Sequence, residues 1–168
     1  MKCDIWVRPA VLDDGPQLAA LLRAIYSLEF ARWYSPRILT AALPLMTQTS
    51  PELLASGTYY VAEVAGVGIV ACGGWTKERP GTSERVAELG HIRHFATHPA
   101  WFRRGLGRTL VTKCFQEARH QGVKRLECMS SLGAETFYRA LGFTVLRSIE
   151  LQLTPEVSMP VILMQRDI

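Results

Sequence analysis

The feature that most constrains this chain is a change of hydrophobic period that happens twice around one joint. Residues 87–97, AELGHIRHFAT, read as a strand closed by Pro99. From Gly105 onward Leu106, Leu110, Val111, Cys114, Phe115 and Ala118 recur at helical spacing, and Gly122 supplies the stop. VKRLECM, residues 123–129, then returns to strand character. Strand, helix and strand in this order predict a β-α-β unit, whose two strands are parallel neighbours. The helix therefore starts at the carboxyl end of a strand, the place where open α/β sheets receive ligands.

The joint itself reads HPAWFRRGLGRTL, residues 98–110. Two glycines weaken a helix start unless the backbone there must bend sharply or approach something closely. Arg103, Arg104 and Arg108 imply that the something is anionic. A helix start already exposes unpaired N–H groups and the positive end of the macrodipole, so phosphate is the natural ligand. Two phosphate loops are excluded by spacing. A Walker loop needs G-x-x-x-x-G-K-S/T, which is absent, and a dinucleotide fingerprint would place its third glycine where Leu110 stands.

The rest of the chain supplies the frame. CDIWVRPA opens as a short strand, and LDDGPQLAALLRAIYSL follows as a helix with Asp13 or Asp14 as its cap, Pro16 in the first turn and a stripe of Leu18, Leu21, Leu22 and Ile25. SPRILTAAL and SPELLAS signal two more helix starts, the second closing at Gly57. TYYVAEVAGVGIVACGGWT reads as an antiparallel hairpin, KERPGTSERV as a polar loop, and GAETFYRAL as a short helix carrying Ala134, Phe137, Tyr138 and Leu141 on one side. TVLRSIELQL and VILMQR are strands separated by TPEVSMP. The expected class is α+β with a mixed sheet. At 168 residues and 48% hydrophobic content, residues 1–168 are expected to form a single domain.

Charge and cysteine usage narrow the partners. A net charge of +4 with no long basic tract and no finger spacing argues against nucleic acid. Cys3, Cys72, Cys114 and Cys128 are scattered, and no cleavable apolar segment precedes them, so a reducing cytoplasm is expected. No apolar run reaches the roughly 18 residues that span a bilayer, so no membrane partner is expected. His91, His94 and His98 lie close in sequence. Strand alternation sends His91 and His94 to opposite faces, and no metal site is expected.

Phe102-Arg103-Arg104-Gly105-Leu106-Gly107 resembles the pyrophosphate motif Q/R-x-x-G-x-G/A of the GNAT superfamily of N-acetyltransferases, with Phe102 standing where the family has Gln or Arg. A second family signature, A-x-x-F-Y-x-x-x-G-F, is met by Ala134, Phe137, Tyr138, Gly142 and Phe143. HIRHFATHPAWFRRGLGRTL and SMPVILMQR extend the likeness, which covers most of the chain and implies no particular substrate. The resemblance implies a GNAT-like mixed, twisted sheet of about seven strands flanked by helices and splayed between its fourth and fifth strands.

It also implies acetyl-coenzyme A as co-substrate. Gly105 and Gly107 would let the backbone of Arg104, Gly105, Leu106, Gly107 and Arg108 approach pyrophosphate, while Arg103, Arg104 and Arg108 add charge. The strand bearing Phe95, Ala96 and Thr97 would pair with the pantetheine arm. Tyr138 matches the family tyrosine that approaches the sulfur, and its phenol can protonate a departing thiolate. His91 falls where some members carry a general base, with Glu88 or water as alternatives. Tyr26, Glu29, Phe30, Trp33, Tyr34 and Trp75 are the expected wall of the acceptor site.

The function so implied is direct acetyl transfer to a primary amine of a small molecule or peptide. Two readings compete with it, a non-catalytic coenzyme A sensor and a basic nucleic-acid-binding module. The acceptor, the acyl-chain preference and the oligomeric state are left open.

Overall fold

The period-two runs of the sequence become seven strands: β1 (Ile5–Pro9), β2 (Tyr59–Val64), β3 (Gly68–Thr76), β4 (Leu89–Thr97), β5 (Arg125–Ser130), β6 (Thr144–Thr154) and β7 (Val157–Asp167). The structure is a computed structural model and describes residues 4–168. The strands form one mixed sheet in the order β1-β2-β3-β4-β5-β7-β6, with β4 and β5 parallel and every other neighbouring pair antiparallel.

Among the described residues five α-helices accompany the sheet: α1 (Gly15–Phe30), α2 (Pro36–Met46), α3 (Pro51–Ala55), α4 (Leu106–His120) and α5 (Glu135–Ala140). The two Ser-Pro starts work as the sequence suggests. Ser35 and Ser50 accept hydrogen bonds from the amides of Ile38 and Leu53, at 3.4 and 3.1 Å. Asp14 does not cap α1 in this way. Its carboxylate accepts from the Val11 amide at 2.8 Å and pairs with both Nη atoms of Arg8 at 2.8 and 2.9 Å. The stronger cationic partner holds the side chain back over β1.

Each face of the sheet has its own core. The apolar stripe of α4 packs with Tyr60, Trp75, Ile92 and Leu126, while Leu18, Leu21, Leu22 and Ile25 of α1 pack with Tyr59, Val61, Cys72 and Ala96 on the other side. A third cluster joins Phe30, Tyr34 and Ala42 to Met159 and Val161 of β7. None of the helices among the described residues is long and apolar enough to cross a membrane.

The TPEVSMP segment is more ordered than a connecting loop. Only Pro155 and Glu156 form the turn between β6 and β7, and Ser158, Met159 and Pro160 already lie in β7. Pro160 fits within the sheet because pairing of β5 with β7 stops at Ser130 opposite Ile162, so no strand needs an amide from it on that side. The KERPGTSERV loop is pinned across its neck by an isolated bridge between Glu78 and Arg85 and by their ion pair.

Candidate active site

The cleft arises where two parallel strands part. β4 and β5 are paired at Leu89 with Arg125, Gly90 with Leu126 and His91 with Glu127, and the ladder ends there. From Ile92 to Thr97 the β5-facing edge of β4 has no strand partner among the described residues. A cleft of about 690 Å3 opens beside it, bounded by α1, the end of α2, the 80–81 turn, α5 and the inner residues of β6 and β7.

A bulge shapes that edge. Cys72 pairs with Ala96 and Gly74 with Arg93, so His94 and Phe95 together oppose Gly73. His94 takes a left-handed φ of 42°. Gly73 is required because the Phe95 ring lies across it, and a β-carbon there would meet ring atoms at 2.5 Å. Ile92 and Phe95, three residues apart, both pack on the α4 side, which strict alternation forbids. The carbonyls of the bulge are tied to the opposite core: Tyr59 donates to the His94 carbonyl at 2.9 Å and Tyr26 to that of Phe95 at 3.1 Å.

At the far end of β4 the chain turns into α4 through Gly105, whose φ of 78° explains the glycine. Arg103 also holds a left-handed φ, of 61°. Among the described residues, the amides of Arg104, Gly105, Leu106, Gly107 and Arg108 have no acceptor. Leu106 buries its side chain and offers only its backbone, while Arg103, Arg104 and Arg108 are exposed. Arg104 rests its guanidinium on the Trp101 ring at 4.5 Å. A row of free amides at the positive end of a 15-residue helix, flanked by three cations, is suited to a pyrophosphate. Phe102 and Gly107 line the cleft, so the turn opens directly into it. Phe95, Ala96 and Thr97 line the same cavity.

Tyr138 lines it as well. Its ring stands edge-on to Phe137 and Phe143, with centroids at 5.1 and 5.5 Å. Burial raises its phenol well above the usual tyrosine range, and the neighbouring Cys128 acts in the same direction. The proton is therefore retained at neutral pH, and the hydroxyl has no hydrogen-bond partner among the described residues. Cys128 also lines the cleft, but burial pushes its thiol far up, with Glu127 adding to the effect. A protonated thiol is a poor nucleophile.

The histidines differ from the sequence expectation. His91 does not line the large cleft. It is buried at 5% exposure and borders an adjoining pocket of about 100 Å3 with Arg79, Glu127 and Arg147. Its Nδ1 stands 3.9 Å from the Glu127 carboxylate, too far to offset desolvation. Burial, aided by Arg79 and Arg93, pushes the imidazole down to about 4. His94 is the histidine that lines the large cleft, and burial together with Arg93 pushes it down to about 4 as well. The regular register runs from His91 to Arg93, and the bulge begins at His94 itself, so the simple alternation used to oppose the two histidines stops there. Glu88 precedes β4, more than half exposed and paired with Lys124 at 2.5 Å, away from the cleft.

Of the expected acceptor wall, Tyr26, Glu29 and Phe30 line the cleft. Trp33, Tyr34 and Trp75 do not. Trp33 is more than half exposed and lays its indole over Gly133, where a β-carbon would meet Nε1 at 2.5 Å. Tyr34 is a clamp in the core, donating to the Pro160 carbonyl at 3.0 Å and accepting from the Leu132 amide at 2.8 Å. Trp75 is 1% exposed on the α4 side of the sheet. Sequence reasoning missed Arg93, Gln48, Gln152 and Met159, which line the cleft. The signal for Arg93 was a charged residue inside a strand.

An α+β sheet splayed at its parallel pair, with a glycine turn and a tyrosine opening onto one cleft, defines an acyl-transfer fold. Residues 22–143 match the acetyltransferase (GNAT) family, and the chain belongs to it. It is an acetyl-transferring enzyme whose acetyl donor is acetyl-coenzyme A. No curated protein matches the chain. Among solved structures it is similar to a GCN5-related N-acetyltransferase from Rhodopseudomonas palustris, with 20% identity, coverage of 100% of this chain and 99% of that one, and a TM-score of 0.78. It is also similar to PaiA N-acetyltransferase from Thermoplasma acidophilum in complex with coenzyme A, with 14% identity, 98% and 99% coverage and a TM-score of 0.71. A mosquito arylalkylamine N-acetyltransferase-like 5b protein matches with 15% identity, 98% and 100% coverage and a TM-score of 0.68. These likenesses show the fold.

Proposed function

We propose that the protein acts as one domain that transfers acetyl from acetyl-coenzyme A directly to a primary amine of a small molecule or peptide. The observation that carries this reading is that Gly107 of the glycine turn and Tyr138 line one continuous cleft. The amides of Arg104 to Arg108, with Arg103, Arg104 and Arg108, hold the pyrophosphate, and the open edge of β4 at Phe95, Ala96 and Thr97 receives the pantetheine arm. The acceptor enters past Tyr26, Glu29 and Phe30.

In the reaction the amine lone pair forms the new C–N bond and the C–S bond breaks. Tyr138 gives its proton to the departing thiolate. The acceptor nitrogen gives its surplus proton to water in the open cleft, since His91 stands outside it and Glu88 is remote. The raised thiol of Cys128 favours direct transfer over an acyl-enzyme. The free thiols of Cys72, Cys114 and Cys128 support a cytoplasmic setting.

Free-thiol release from acetyl-coenzyme A against a panel of amines, with a no-acceptor control, tests the reading. Acceptor-dependent release of stoichiometric amide is expected. Tight coenzyme A binding with no release against any amine would instead favour a sensor.

A further inference from the structure

Arg93 is the only lysine or arginine lining the large cleft among the described residues. Its guanidinium carries five N–H donors, and one of them is used, from Nη1 to the Thr76 hydroxyl at 3.1 Å. It forms no ion pair among the described residues. The acid nearest in effect, Glu78, is engaged by Arg85, with Nε donating to Oε1 at 2.7 Å. A half-buried cation with most of its donors unused is costly unless a ligand completes it.

Its place in the fold separates it from the coenzyme A phosphates. Those are served at the carboxyl end of β4, beyond Thr97, whereas Arg93 lies on the amino-terminal side of the bulge. Ile92 packs towards α4, so Arg93 beside it projects to the α1 face, the side of Tyr26 and Glu29. The wall of the cleft beyond β4 includes the apolar side chains Leu45, Met46, Leu151, Leu153 and Met159, with Glu29, Gln48, Ser50 and Gln152 as its polar members. One planar cation matches one carboxylate bidentately, and no second lysine or arginine is present among the described lining residues for a doubly charged phosphate.

We propose that the acceptor is an α-amino acid with an apolar side chain, its carboxylate held by Arg93 and its side chain laid against the Leu45, Leu151 and Met159 wall. This names the acceptor of the acetyltransferase reading above and rests on it. The amine adjacent to that carboxylate is the nitrogen acetylated.

The test uses the full chain with acetyl-coenzyme A and three matched series, L-leucine, L-methionine and L-phenylalanine, each as free acid, carboxamide and decarboxylated amine. Wild type is expected to prefer a free acid over its amide and amine by roughly 10²-fold in kcat/KM. In Arg93→Gln the loss for the free acid should exceed the loss for its amide at least tenfold, carried mainly by KM, and Arg93→Lys should recover part of it. Binding of the N-acetyl amino acids in the presence of coenzyme A, followed by calorimetry, gives a readout independent of turnover. Arg93-dependent binding without turnover would support the carboxylate site and count against acetyl transfer. Turnover that ignores the carboxylate, equal losses on all three forms, or neither turnover nor binding in any series overturns the proposal.

Discussion

The Phe137 ring lies over Gly107, so that a β-carbon at Gly107 would stand 3.0 Å from its Cε2 and 3.1 Å from its Cζ. This contact brings α5, which carries Tyr138, against the first turn of α4, which carries the free amides. The cradle and the proton donor are therefore held in register by a missing side chain. Gly107→Val is expected to displace Phe137 and lower coenzyme A affinity. A melting-temperature shift by acetyl-coenzyme A measures it by mass action.

Gly105 acts differently, because open space surrounds it and its backbone conformation is what matters. At a φ of 78° a valine costs about 1–2 kcal/mol and repels the cradle from its left-handed start. Gly105→Val should abolish the acetyl-coenzyme A shift while the apo protein still folds. ATP and NAD should shift wild type weakly. Normal coenzyme A affinity in folded Gly105→Val would remove the pyrophosphate assignment.

Tyr138→Phe keeps the edge-on packing against Phe137 and Phe143 and deletes only the hydroxyl. Turnover should fall by roughly 10²-fold or more with coenzyme A affinity little changed. Single-turnover measurement isolates the chemical step. An unaltered rate there would leave Tyr138 as a packing residue.

Much of this fold was legible because its signals were local. Ser-Pro starts, the α4 stripe and the glycine stop at Gly122 each depend on neighbours within one turn of chain. The β-α-β argument also located the parallel pair whose parting makes the cleft. What resisted reading depends on register across strands. The bulge at His94 and Phe95 exists because β3 supplies Gly73 opposite them, and nothing within HIRHFAT announces it. Trp33, Tyr34 and Trp75 share aromatic character with Tyr26 and Phe30, but which face each occupies follows from packing between distant elements. Arg93 was visible as an unusual charge in a strand, yet its lack of an acidic partner appears only when the sheet is assembled.

The reassigned Tyr34 has a stability consequence. Its hydroxyl joins the Leu132 amide to the Pro160 carbonyl, bridging the turn before α5 to β7. Tyr34→Phe leaves a part-buried amide and carbonyl unpaired, at a cost of about 2 kcal/mol. For a chain of this size that lowers the melting temperature by about 4–8 °C. Calorimetry should find that loss with the acetyl-coenzyme A shift preserved. Loss of the ligand shift with unchanged apo stability would place Tyr34 in the site instead.

The histidines fix the expected pH behaviour. An ordinary imidazole titrates near 6.5, and burial pushes both His91 and His94 down to about 4 in the folded protein. Between those values the unfolded chain binds protons that the native state refuses, so stability falls as pH is lowered from about 6.5 towards 4 and levels off below. His91, at 5% exposure, contributes up to about 3 kcal/mol to that fall. Denaturant unfolding across this window should show a shallower slope in His91→Gln than in wild type. The rate should behave separately. Because neither imidazole titrates near neutrality and His91 lies outside the cleft, kcat/KM should rise with pH towards the acceptor's own amine pKa, with no inflection between 6 and 7.5. His91→Gln should leave that profile in place. A neutral-range inflection that disappears in His91→Gln would restore His91 as the base, acting through water from its adjoining pocket. The same disappearance in His94→Gln alone would assign the role to the histidine that the bulge turns into the cleft.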